Sequence, residues 1–352
     1  MSEKINKRKN DIIFLNILFC LLVIFIHISS EVVTKVPKNT IFFKTVFSAQ
    51  RLSSFVVQGF LLLSGTKLFL TKSGNINYAK YYFTRITRVV IPYILWVVVY
   101  YIYFYSKNYY DFSLEDLGYY ILKGNLSAHF YFVIILVQFD LLAPLWMFLF
   151  KRGNAAVHIA FSLIITVIAS QYLMPILTTI FPSIPSINFA NCFLRYQIYW
   201  TAGCLIGRHY EEFRHFLKNN KVYICVCFIL CAALNVAASL ATVGYPPVWL
   251  EFVHIMYCIS AILFFYMLSQ LFTGAGSVIL KPFGFIDKSS YTIYLIHCLI
   301  LVMFDNYMND CGILSYSTRF LLRAAAVYGI SIAVCGIWQI IKYPISKMIR
   351  KS

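Results

Sequence analysis

The chain has 352 residues, of which 61% are hydrophobic and 12% charged, and its mean hydropathy is +0.74. That balance lies far from a soluble globular domain and describes an all-α, polytopic membrane protein. The formal charge of +17 follows from topology and anionic lipid in such a chain, and makes no case for nucleic acid. The ten cysteines lie mostly in apolar stretches, as at Cys20, Cys225, Cys227, Cys231 and Cys335, without a CxxC pair. They read as packing residues, and no metal is expected.

The amino terminus, MSEKINKRKN, is strongly charged, and the apolar run after it, Asp11 to Ser30, lacks a small-residue cleavage site. It reads as a retained signal-anchor helix of spanning length. His27 is the one ionisable side chain deep in its outer half, and Asn16, eleven positions earlier, returns to nearly the same face about 16 Å lower. An intramembrane histidine is either bonded to a neighbouring helix or functional.

Ten candidate spans follow the apolar pattern, near residues 11–30, 50–70, 88–106, 129–150, 156–180, 190–207, 222–242, 250–272, 289–305 and 320–342. With the amino terminus cytoplasmic, 21 of the 30 Lys and Arg fall on the inner side, which predicts both termini inside. No repeat, low-complexity tract or soluble appendage is visible, so residues 1–352 are expected to form one membrane domain.

The second span, RLSSFVVQGFLLLSGTKLFL, opens on Arg51, and its Gly59, Ser64 and Gly65 form a small face suited to close packing. In the segment YAKYYFTRITRVVIPYILW, regular helical spacing puts Arg85 and Arg88 on one face at the cytoplasmic mouth of the third span. The positive-inside rule accounts for such a pair, and so does a need to hold the phosphates of an anionic donor. The fourth span, HFYFVIILVQFDLLAPLW, carries His129 at its outer end and Asp140 near its middle. A mid-span carboxylate marks the interior, where an arginine or tyrosine partner or a catalytic use would keep it. In FIDKSSYTIYLIHCLILVMF, Ser290, Tyr294 and His297 share a helix face, with His297 near the midplane.

Taken together, the helix ending in His27, FVVQGFLLLSG, TRITRVVIPYILW, HFYF with LLAPLW, and SYTIYLIH resemble the membrane-bound acyltransferase-3 family in order and position, from about Asn10 to Ile349. The resemblance implies about ten spans and transfer of an acyl group, usually acetyl, from cytoplasmic acyl-CoA to a hydroxyl of an extracytoplasmic or lipid-linked glycan. By it His27 matches the catalytic histidine, Arg85 and Arg88 the basic motif after the second span, and Tyr294 and His297 the SYxxYLxH motif. Family members commonly carry a basic residue eleven positions before that histidine; here it is Asn16, which can bond a donor oxygen but supplies no charge. The esterase-like domain that some relatives carry is not seen, so the membrane domain or a separate glycan-synthesis protein would handle the acceptor.

Acyl transfer from a thioester to an alcohol needs a base, a donor to the developing oxyanion and an anchor for coenzyme A phosphates. His27 can be the base, with Glu31 orienting it if the helix continues. Asn16, Arg85 and Arg88 would hold the donor. The acceptor would enter from outside near Arg51, His129, Trp249 and Glu251, with Asp140, Ser290, Tyr294 and His297 as interior polar groups. The expected protein is an acyl-CoA-dependent O-acyltransferase of the cytoplasmic membrane, with acetyl-CoA as the expected donor, acting on a surface glycan or its lipid-linked precursor. A glycan exporter would use the same polar interior as a path and tolerate loss of His27. A non-catalytic membrane subunit would scatter these residues.

Overall fold

The computed structural model describes residues 2–71, 76–151, 153–180, 191–272 and 277–349. Lys72, Arg152, Arg350 and Lys351, counted above among the inner basic residues, lie outside them. The chain is 86% helical, with no strand among the described residues. In chain order the helices are α1 (Ser2–Ile28), α2 (Ser30–Lys35), α3 (Ile41–Ser53), α4 (Val56–Thr71), α5 (Tyr78–Arg85), α6 (Ile91–Ser106), α7 (Leu114–Lys123), α8 (Tyr131–Leu141) and α9 (Ala143–Lys151). They continue with α10 (Ala155–Gln171), α11 (Leu173–Ile180), α12 (Gln197–Arg208), α13 (Tyr210–Asn219), α14 (Lys221–Ala241), α15 (Trp249–Ser269), α16 (Ser277–Leu280), α17 (Gly284–Asp310) and α18 (Tyr316–Ile349).

Among the described residues, seven helices are long and apolar enough to cross a membrane: 10–35, 41–70, 78–106, 221–241, 249–272, 284–310 and 316–334. Counting α8 and α9 as one broken span makes eight. The protein is thus a polytopic membrane protein, with fewer qualifying spans than the ten expected from hydropathy. The differences have local causes. Helices α8 and α9 meet at 59°, because Pro144 cannot donate its backbone bond and crowds the turn before it. Helix α10 has 17 residues and α12 only 12, short of the roughly 20 that a bilayer requires.

Packing divides the chain into two units, residues 1–57 with 217–352, and residues 58–216. In the first, α1 lies against α15, α17 and α18, while α14 pairs with α15 and α3. Its core includes Leu15, Phe19, Ile24, Phe43, Phe55, Tyr257, Ile293 and Leu295.

In the second unit α12 is almost wholly buried, and its glycines let it approach α4. A Cβ on Gly203 would fall 2.1 Å from the Leu62 carbonyl oxygen, and one on Gly207 would fall 2.5 Å from that of Thr66. Gly65 answers from α4, where a Cβ would meet the Trp200 carbonyl oxygen at 2.7 Å. The small face expected at Gly65 therefore serves backbone-to-backbone packing.

Candidate active site

In the first unit, the last turn of α1 brings His27 against α17. Its ring centroid lies 5.0 Å from that of His297, the planes tilted by 58°. His297 is fully buried; its Nδ1 lies 3.1 Å from the Ile293 carbonyl oxygen, and its Nε2 lies 3.3 Å from the Cys298 thiol. Tyr294 stands one turn below, 5.9 Å from the His297 ring. Ser290 bonds the Asp287 carbonyl, so three of the residues expected on one helix face lie there in sequence down α17. Midway along α1, the Asn16 amide donates to the Asp287 carboxylate at 2.7 Å. Asn16 thus meets an acid where a basic residue in its place would form an ion pair.

The backbone around His27 is held by side chains from other helices. Gln50 of α3 donates to the Ile26 carbonyl at 3.1 Å, and Arg323 of α18 to the Ile28 carbonyl at 3.1 Å. Ser29 and Ser30 bond the Ile26 and His27 carbonyls. A helix end leaves its last carbonyls without intrahelical partners, and here polar side chains take them up.

Glu31 follows the break between α1 and α2, and its surroundings differ from those expected. Its buried carboxylate accepts both 3.1 and 3.0 Å bonds from Arg319 Nε, lies 3.4 Å from Arg323 Nε and takes Lys35 at 3.2 Å. Arg323 also pairs with Asp305 through two bonds, and Arg319 bonds Asn309. The acid four residues after His27 is therefore the centre of a buried charge network. Ser29 keeps helical dihedrals, and the Glu31 oxygens are taken by arginine and lysine side chains. Sequence reasoning missed Arg319, Arg323 and Asp305. The available signal was two arginines four apart at the head of an apolar run, which read only as interfacial charge.

Arg51, in the last turn of α3, sits among neutral partners. Its Nε donates to Ser239 at 3.0 Å, and its Nη2 lies 3.4 Å from both Asn235 Oδ1 and His254 Nδ1. Among the described residues no carboxylate comes within 4.0 Å of it.

In the second unit Asp140 of α8 is buried, accepts a 2.6 Å bond from the Tyr81 hydroxyl and lies 3.2 Å from Arg85 Nε. The Arg85 guanidinium also lies over the Tyr81 ring, 5.2 Å from its centroid. Both partner types expected for this carboxylate are present. A π-helical turn, residues Ile86–Val90, begins directly after Arg85. It changes the register, so Arg85 turns to Asp140 while Arg88 is exposed, and the pair does not share one environment as regular spacing predicted. His129 is buried, 3.1 Å from the Ser127 hydroxyl and beside Tyr100.

Asp140→Asn is expected to keep the Tyr81 bond and fold normally. Asp140→Leu strands the Tyr81 hydroxyl and Arg85, at about 1–3 kcal/mol, and should lower the yield of folded protein in the membrane. Equal yields on size-exclusion chromatography would remove the interior role.

A family model described as an acyltransferase domain matches residues 10–338. The chain belongs to the acyltransferase-3 family. It is an acyltransferase, and members of the acyltransferase-3 family commonly carry out O-acetylation. No curated protein and no solved structure shows a significant match to it. Of the positions that carry the acyltransferase-3 resemblance, His27, Tyr294 and His297 gather in the first unit, and Arg85 and Arg88 lie in the second. The ligand atoms of His27, His297 and Cys298 lie within 4.8 Å of one another.

Proposed function

We propose that the protein is an acyl-CoA-dependent O-acyltransferase of the cytoplasmic membrane that esterifies a hydroxyl of an extracytoplasmic or lipid-linked glycan, with His27 as general base. The observation that carries this reading is the His27–His297 pair. Two imidazoles meet in an apolar helix bundle, one fully buried and the other held at its backbone from three sides. An interior histidine kept only for packing has no use for such restraint, whereas a proton-transfer group must be placed to within a fraction of an ångström.

In this reading a ring nitrogen of His27 takes the proton of the acceptor hydroxyl as its oxygen attacks the thioester carbonyl. The tetrahedral oxyanion collapses, the carbon–sulfur bond breaks, and the leaving thiolate recovers the proton from the imidazolium. The His297 ring sets its Nδ1 against the Ile293 carbonyl and its Nε2 against the Cys298 thiol, with the His27 ring beside it. Arg88, exposed and cationic, anchors donor phosphates, while Arg85 is held by Asp140. Asn16 offers the donor a neutral amide, and Arg51 lies on the acceptor side.

The test compares ester content of surface glycans, by mass spectrometry, in cells with and without the gene and with the His27→Ala variant. Loss of one acyl ester in both mutants is the expected result; unchanged esters in both would remove the proposal.

A further inference from the structure

A cavity of about 420 Å³ in the first unit is lined by Lys38, Phe43, Lys44, Leu240, Ala241 and Val243. Both lysines are exposed, and neither ammonium has an ion pair or hydrogen bond among the described residues. Gly244, at φ +100°, lets the loop after α14 pass under Lys38, since a Cβ there would lie 2.7 Å from its Nζ.

Two turns below Lys44 on the same face of α3 stands Arg51, bonded to Ser239 and Asn235 of the helix that supplies Leu240 and Ala241. Three cations thus follow one seam between α3 and α14. At its lower end the Asn235 side chain is fully buried and its Nδ2 has no partner among the described residues.

The usual reasons for membrane-edge cations do not cover this arrangement. The carboxyl end of α14 attracts one ammonium, and the other lysine and Arg51 remain. With the amino terminus inside, as the basic bias requires, these residues face outward, where the positive-inside rule does not place them. The hydrogen bonds of this half-buried guanidinium go to neutral partners, and Glu251 acts on it only from beyond 4.0 Å, so donor capacity is left for a ligand.

We propose that the seam from Lys38 and Lys44 to Arg51 binds an acidic acceptor, a glycan bearing carboxylate or phosphate groups. The inference rests on the acyltransferase reading for the word acceptor, and its binding chemistry stands on the seam alone. Phe43, Leu240 and Val243 give the apolar wall on which a sugar face packs, and the ammonium groups and Arg51 take the oxyanions.

The experiment uses full-length protein in phosphatidylcholine nanodiscs without acyl donor. The probes are a fluorescent oligogalacturonate, its carboxyl-reduced neutral counterpart and a poly(glycerol phosphate) oligomer. At least one anionic probe should bind, with an affinity that falls as salt rises, and the neutral chain should not. Whichever anionic probe binds identifies the oxyanion. Lys38→Gln and Lys44→Gln should each weaken binding by about two- to fivefold, with Lys44→Arg restoring it. Arg51→Gln should weaken binding by roughly tenfold to a hundredfold, and Arg51→Lys by less.

Equal binding of the neutral chain, or variants without effect, would overturn the proposal. So would displacement of the probe by phosphatidylglycerol in the disc with the same variant pattern, which would make the seam a lipid site. Because binding is read without donor, failure of acyl transfer leaves the result standing. Absent anion binding beside intact transfer removes this inference alone.

Discussion

Replacing His27 with alanine is expected to lower acyl transfer by roughly 10²- to 10⁴-fold while leaving donor binding nearly unchanged. In the last two turns of α1, from Leu21 to Ile28, the imidazole is the one side chain that can take a hydroxyl proton. His297, 5.0 Å away, is held by the Ile293 carbonyl and is less able to move into its place. Arg88→Ala should show the opposite pattern, a raised KM for the donor with kcat little changed, as loss of a phosphate contact does. Donor affinity and glycan ester formation measured on the same purified variants separate the two. Full transfer activity in His27→Ala would end the assignment, and a fall in donor affinity equal to the fall in turnover would make His27 a binding residue.

The second large effect concerns the charges above that histidine. Arg323→Met removes a partner from Glu31 and Asp305 and a donor from the Ile28 carbonyl. Breaking a buried ionic network from one side costs about 3–5 kcal/mol, because it leaves charge without compensation. The first unit should unfold at distinctly lower temperature or denaturant, followed by the exchange of its buried cysteines with a thiol probe. Glu31→Met combined with Arg323→Met keeps the network neutral, leaving Arg319 near Asp305 at 3.7 Å, and should recover part of the loss. The double variant separates folding from positioning. If Arg323 acts only on stability, restored fold restores turnover; if it places His27 through the next carbonyl, kcat stays low with KM unchanged. A single Arg323→Met variant as stable as the parent would show the network to be incidental.

Much of this arrangement was legible in the chain. Hydropathy marked the apolar helices, and a histidine in each of two spans pointed to an interior site. Asp140 was readable as a paired carboxylate, since a lone acid at that depth is too costly to leave alone. The unread parts depend on long-range geometry. Nothing near Glu31 in sequence announces Arg319, 288 positions away. The register change at Ile86 and the bend at Leu142 alter which residues face each other without altering composition. Short buried α12 looks like a span to a hydropathy window, because burial in protein and burial in lipid demand the same apolar residues.

The order of synthesis gives the charge network a further meaning. Among the described residues Glu31 belongs to the earliest span and its arginines to the latest. At roughly 5–20 residues per second, the acid waits on the order of 15–60 s before Arg319 and Arg323 leave the ribosome. During that interval Lys35, one turn away at 3.2 Å, is the partner its own helix supplies. The His27 end of α1 therefore cannot be finished as it is inserted. It is completed only when the carboxyl-terminal helix arrives, so a prematurely terminated chain carries His27 without the Arg323 bond at the neighbouring carbonyl.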